Sequence, residues 1–144
     1  MLRSVVMSCE LCDLSIKENV IFSNRLFRIV HVYDVYYPGF IRLILNRHVK
    51  ELSELTTDEL SLVFEAIVKI EREIINLMQA DKINIASLGN VVPHLHWHII
   101  PRYFNDRHFP NPIWGNVNND SYIVNNDLLD KEKLLIQNLR NKFN

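Results

Sequence analysis

Three of the chain's six histidines alternate in Pro93-His94-Leu95-His96-Trp97-His98-Ile99-Ile100-Pro101-Arg102, and its two cysteines form Cys9-x-x-Cys12. On a helix, side chains two apart point roughly 200° from each other, so three imidazoles at this spacing could not converge; on a strand they share a face. Pro93 and Pro101 bracket the run and oppose a continuous helix through it. The spacing predicts a strand with His94, His96 and His98 on one face and Leu95, Trp97 and Ile99 on the other. Such a face could chelate zinc, or use one ring as a nucleophile with its neighbours as donors. The bland alternative is a hydrogen-bonded set without chemistry, which crowding disfavours because protonated imidazoles repel one another. The Cys pair has similar alternatives. In a reducing compartment a disulfide is disfavoured, leaving metal binding or redox chemistry, and a metal would need two further ligands.

Bulk properties narrow the classes. The chain has 144 residues and a net charge of −1, with nothing of the basic footprint that nucleic-acid or anionic-membrane binding needs. The length predicts one domain, residues 1–144. No apolar run reaches the roughly 18 residues of a membrane span, and the N-terminus lacks a signal-peptide core, so a cytoplasmic protein is expected. Three glycines in all leave no room for a glycine-rich phosphate loop. Met7, just before Ser8-Cys9, is an alternative start to Met1.

The elements that must position the histidines follow from local pattern. Val20–Phe22 and Leu26–Tyr33 read as strands with a turn at Ser23-Asn24, and Asp34–Gly39 as a loop. Phe40–Leu45 is a mostly apolar strand suited to the middle of a sheet. Leu52 and Leu55 form a short turn that packs on the core. Thr56 with Glu59 has the capping-box spacing and opens a long helix over about 57–79. Its stripe is Leu60, Val63, Phe64, Ile67, Val68, Ile74, Ile75 and Met78, which is expected to be core. Ile83–Leu88 then reads as a strand, and Gly89-Asn90 as the turn of a hairpin into the histidine strand. The chain beyond Pro101 is irregular until a second amphipathic helix, about 127–142, capped by Asn126 or Asp127. The expected class is α+β: an antiparallel sheet with one long packed helix and a C-terminal helix.

His94-Leu95-His96-Trp97-His98-Ile99-Ile100 resembles the histidine triad signature, in which three histidines alternate with apolar residues and two more apolar residues follow. Pro101-Arg102 is similar to what commonly comes next in that superfamily. Cys9-x-x-Cys12 resembles the N-terminal pair of many bacterial members. Pro38-Gly39 through Asn46-Arg47-His48 is similar to the strand and basic-plus-His segment before the long helix. Gly89-Asn90-Val91-Val92-Pro93 stands where members have a Gly-Gln approach to the triad. The resemblance spans about residues 9–114 and leaves the C-terminal helix outside.

It implies a nucleotide phosphohydrolase or nucleotidyl transferase. His96 would attack the α-phosphorus of a nucleoside phosphoanhydride or phosphoramidate and give a nucleotidyl-histidine that water cleaves. Neutral imidazole is available for this near pH 7, and a backbone carbonyl on Nδ1–H would keep Nε2 free. His98 would donate to the non-bridging oxygens, with Gly89 and Asn90 as further donors and Asp34 on the ribose hydroxyls. By the same resemblance Cys9, Cys12, His48 and His94 form a closed, structural zinc site. No magnesium site is evident. Members are commonly homodimers, and the long helix with the sheet edge could supply that interface.

The chain also departs from the pattern. Phe40 stands where many members have a supporting histidine, and it can donate no hydrogen bond. Asn90 replaces the usual Gln, and Val91 a small hydroxyl residue. His108 and His31 are substitute proton donors by residue type alone. Trp114 and Phe109 could cover a base or contact a partner. A second class therefore stays open: a nucleotide-binding sensor or interaction module with little turnover, or one in which the whole triad binds zinc.

Overall fold

The computed structural model describes residues 9–13 and 15–144; the alternative start at Met7 lies outside them. The architecture is α+β. Five strands, β1 (Asn19–Ser23), β2 (Phe27–His31), β3 (Ile41–Leu45), β4 (Lys82–Ala86) and β5 (His96–Arg102), form an antiparallel sheet in the order β1-β2-β3-β5-β4. Helix α1 (Thr57–Met78) joins β3 to β4, and α2 (Asn126–Phe143) follows the long segment after β5. Among the described residues no helix is long and apolar enough to cross a membrane.

Period-2 alternation sorts the sheet's two faces. Phe27 and Ile29, then Ile41, Leu43 and Leu45, then Leu95, Trp97 and Ile99, all join the main core, which α1 and α2 cover. Removing this much branched aliphatic surface from water is the main favourable term for the fold. The residues between them, Val30, Arg42, Ile44, His96 and His98, belong to the opposite face. Register places Arg42 opposite His98 and Ile44 opposite His96.

Helix α1 starts where its cap dictates: Thr56 Oγ1 accepts from Glu59 N, the reciprocal capping box is complete, and Gln79 ends the helix in the left-handed region at φ 50°. Its expected stripe is only partly core. Val63, Ile67, Ile70, Ile74 and Met78 are buried, whereas Phe64, Val68 and Ile75 are 44%, 41% and 46% exposed. A helix lying on a sheet buries about one-third of its circumference, and the apolar residues of α1 span more than that. Helix α2, capped by Asn125, packs Leu135 and Leu139 into the core.

The hairpin differs from the expected tight turn. β4 ends at Ala86 and β5 begins at His96, so Ser87–Leu95 is a long connection rather than a two-residue turn at Gly89-Asn90. Pro93 offers no N–H to a ladder. Leu95 instead turns to the other side of the sheet, donating to Val49 O at 2.8 Å and accepting from Leu45 N at 3.2 Å. Gly89 takes φ +70° in this connection, which a residue with a side chain rarely adopts.

At the far end β5 runs through Pro101 to Arg102, where a buried ion pair anchors the segment after it. Arg102 Nε donates to Asp106 Oδ2 at 2.8 Å, and its other nitrogens donate to Asn84 Oδ1 and Asn111 O. Burial opposes ionisation of Asp106, but Arg102 and the N–H groups of Tyr103 and Phe109 outweigh it and hold the carboxyl below its ordinary range. Removing one partner of a buried pair leaves the other uncompensated. Arg102→Ala is therefore expected to lower unfolding free energy by about 3–5 kcal/mol, read as a lower denaturant midpoint at unchanged slope. A loss below about 1 kcal/mol would mean that backbone donors alone satisfy Asp106.

Candidate active site

The triad histidines divide by environment. His94 lies just before β5. Its Nε2 donates to Leu45 O at 2.6 Å, since a carbonyl only accepts, and so Nδ1 keeps its lone pair. That lone pair faces Cys9 Sγ at 3.4 Å, Cys12 Sγ at 3.3 Å and His48 Nδ1 at 3.2 Å. The four donor atoms lie within 4.8 Å of one another. A tetrahedron with zinc–sulfur bonds of about 2.3 Å and zinc–nitrogen bonds of about 2.0–2.1 Å needs sulfur–nitrogen edges of about 3.5 Å and a nitrogen–nitrogen edge of about 3.3 Å. Three sulfur–nitrogen edges, at 3.3–3.4 Å, and the nitrogen–nitrogen edge, at 3.2 Å, meet those lengths within a few tenths of an ångström, and the Leu45 carbonyl fixes the ring as an outer-shell partner does. Cys9, Cys12, His48 and His94 therefore form a group able to hold a metal ion.

His96 is placed differently. Its Nδ1 donates to the His94 carbonyl at 2.5 Å, so Nε2 is the unprotonated nitrogen. Burial, with smaller contributions from Arg42 and His94, lowers its pKa below the ordinary histidine value. The ring is thus a neutral imidazole with a defined tautomer. His98 stands edge-on to it at 4.9 Å between centroids. Phe40 packs on the His98 ring at 5.7 Å and Trp114 at 4.9 Å. Phe40 is buried, so the residue in place of the expected histidine is an apolar ring packed against His98. Nδ1 of His98 is buried with no hydrogen-bond partner among the described residues.

His98 has the largest shift: burial first, then Arg42 and His96, push its pKa down to about 3. In the unfolded chain the value is about 6.5. Below that pH the unfolded state binds the proton and the folded state does not. The stabilisation is therefore complete above about pH 6.5 and is lost as pH falls toward about 3, at up to about 1.4 kcal/mol per pH unit. Denaturant titrations of wild type and His98→Asn are expected to diverge by about 2 kcal/mol between about pH 6.5 and about 4.5. Parallel curves would remove His98 from the acid limb.

His96, His98, Gly89, Asn90, Val91 and Trp114 line one cleft of about 420 Å³, within the range of small-ligand sites. Asp34 is not among its walls. Its carboxylate accepts from Tyr36 N at 2.9 Å, while its neighbour Tyr33 lines an adjoining hollow of about 280 Å³. The two substitute proton donors are engaged elsewhere. His108 Nδ1 is 2.6 Å from Tyr37 Oη. His31 Nε2 lies 3.0 Å from Glu132 Oε2 of α2, although off the line a hydrogen bond needs. Phe109 packs on Phe104, away from the cleft.

One wall residue, Arg42, was not singled out from sequence. It lines both the cleft and the hollow. The available signal was a lone cation inside Phe40–Leu45, a strand otherwise apolar.

The HIT domain model matches residues 13–105, more than half of the chain. The chain belongs to the HIT family. Its curated relatives include a bis(5'-nucleosyl)-tetraphosphatase of Schizosaccharomyces pombe, 37% identical over 70 residues, which are 45% of this chain and 38% of that one. A bis(5'-adenosyl)-triphosphatase of Saccharomyces cerevisiae is 35% identical over 95 residues, 61% of this chain and 46% of the relative. The chain thus spans less than half the length of these two. Among solved structures, a histidine triad protein of Bradyrhizobium japonicum aligns at a TM-score of 0.69 and 28% identity, covering 87% of this chain and 91% of that one. This HIT chain keeps the sheet and helix arrangement expected from its triad.

Proposed function

We propose that this HIT chain is a nucleotide phosphohydrolase or nucleotidyl transferase acting on a nucleoside phosphoanhydride or phosphoramidate through His96. The observation that carries this reading is the His94 carbonyl on His96 Nδ1, 2.5 Å away, which leaves Nε2 with the lone pair in a cleft-lining ring. Nε2 attacks the α-phosphorus; the N–P bond forms as the bond to the leaving group breaks, and the leaving group departs with its electron pair. Water then cleaves the nucleotidyl-histidine and regenerates the imidazole. In its Nδ1–H tautomer His98 offers the unpartnered Nδ1 to the charge that builds on the non-bridging oxygens, and Gly89 and Asn90, which line the same cleft, offer further donors. Asp34 is assigned to the ribose hydroxyls by family position only. With Phe40 packed behind His98 in place of a histidine, an amine leaving group lacks that proton donor, whereas a phosphate leaving group needs none. Dinucleoside polyphosphates, the substrates in the names of the two relatives, are therefore the favoured class.

Cys9, Cys12, His48 and His94 would hold zinc as a closed structural ion, which supplies rigidity and no step of the reaction. Cysteines kept as metal ligands rather than as a disulfide fit a reducing cytoplasm. A homodimer is supported by the exposed apolar row Phe64, Val68 and Ile75 on α1 and by Ile85 on the open β4 edge.

The test is intact-protein mass spectrometry after rapid mixing with diadenosine tetraphosphate and with adenosine phosphoramidate. The expected result is a nucleotidyl adduct that maps to His96 and decays as product appears. Tight mononucleotide binding without adduct or turnover would favour the second reading, a binding module, for which Phe40 is the specific observation.

A further inference from the structure

Two buried side-chain nitrogens on the sheet's open face have no hydrogen-bond partner among the described residues: Arg42 Nε and His98 Nδ1. They belong to cross-strand partners, Arg42 on β3 and His98 on β5, and such pairs have Cβ atoms about 4.5–5.5 Å apart. Buried polar nitrogens are rarely left unpaired; Arg42 Nε is always a donor, and His98 Nδ1 is one in its Nδ1–H tautomer. Both residues line the cleft that holds His96. Among the described residues that line it, Arg42 is the one permanent cation; apart from the two histidines and Glu10, the others carry no ionisable side chain.

We propose that Arg42 is a substrate-binding residue that grips the phosphate at His96, sharing its non-bridging oxygens with His98. This deepens the reading above and rests on it for the position of the phosphate. The chemistry is specific. A guanidinium stays charged when half-buried and offers a fork matched to phosphate oxygens. The neighbouring Arg28, on the same face, is already committed to Glu18 and to Leu11 O, so it is not a comparable second cation for the anion. Arg42 also lies where the cleft meets the hollow lined by Glu18, Val30 and Tyr33. A nucleotide extending between the two compartments would carry its charge past this side chain. Position 42 therefore selects for phosphate-bearing ligands over neutral nucleosides. It supplies ionic recognition beside His98, where Phe40 can supply none.

The test is calorimetric titration of the full chain with AMP and with adenosine, for wild type, Arg42→Leu and Arg42→Lys, each checked for native circular dichroism. Arg42→Leu is expected to weaken AMP by about tenfold or more and to flatten its salt dependence. Adenosine affinity stays unchanged, and Arg42→Lys falls between. Independently of any variant, phenylglyoxal labelling of Arg42 in wild type is expected to be blocked by AMP and not by adenosine. Equal loss of AMP and adenosine affinity, or labelling indifferent to AMP, would overturn the assignment in favour of a packing role. The two readings fail separately. A His96 adduct formed by Arg42→Leu at unchanged KM sinks the Arg42 assignment alone, whereas selective AMP binding with no adduct in wild type sinks only the covalent mechanism.

Discussion

His96→Ala is expected to lower kcat for diadenosine tetraphosphate by about 10⁴-fold or more, with KM changed far less. Such a loss corresponds to about 5.5 kcal/mol of transition-state stabilisation at about 1.4 kcal/mol per tenfold. The size follows from the role: without the imidazole there is no covalent intermediate, and water must attack directly. KM holds because the groups proposed to bind the phosphate, Arg42, His98 and Asn90, remain in the cleft walls. His98→Ala is expected to cost less, since one donor to a developing oxyanion is worth about 10²–10³. Steady-state kinetics on both variants decides the assignment. If His96→Ala kept wild-type turnover, the nucleophile would have to be sought elsewhere, and the Nδ1 bond to the His94 carbonyl would be purely structural.

The second large effect concerns the Cys₂His₂ group. Purified chain is expected to carry one zinc per chain, with an absorption edge showing two sulfur and two nitrogen ligands. Removing it by chelation, or by Cys12→Ser, is expected to cost about 3–5 kcal/mol. That is well under the about 10–16 kcal/mol of a zinc-finger peptide, because the sheet and α1 have a core of their own. For a domain of this size the loss corresponds to a Tm lower by roughly 10 °C. A turnover loss should follow, since the carbonyl that holds His96 Nδ1 belongs to His94, one of the four ligands. Metal-free protein with wild-type Tm and kcat would reduce the four residues to two thiols beside two histidines.

These two tests probe roles that were legible at different levels. The alternation of His94, His96 and His98 predicts a strand, and the structure supplies one from His96 onward. Capping chemistry at Thr56 and Glu59 predicts where α1 begins, and it begins there. Both are local rules, with period and spacing written in neighbouring residues. The stripe on α1 is wider than the face that is buried, for the opposite reason. Helical spacing says that Phe64, Val68 and Ile75 share an apolar side; how much of that side the sheet covers is a tertiary matter. The chain does reverse at Gly89, at φ +70°, and β4 and β5 do pair antiparallel, but the connection is longer than local spacing implies, because Leu95 finds partners in Leu45 and Val49 across the sheet.

At the triad the division is sharpest. Residue type and period are enough to put His96 and His98 on one face and to pair Cys9 with Cys12 as prospective ligands. The distances of 3.2–3.4 Å that bring residues 9, 12, 48 and 94 together depend on the packing of segments far apart in sequence. So does the environment of His98, whose ring lies between Phe40 from one loop and Trp114 from another. Arg42 belongs wholly to this second kind. Along the chain it is one cation in an apolar strand; only strand pairing sets it opposite His98, with its buried nitrogen unpartnered at the cleft wall. Local sequence decides which groups are available and which way a strand turns them. The low-dielectric cleft that lowers the pKa of His96, and leaves two buried nitrogens without a partner among the described residues, exists only once the strands are paired.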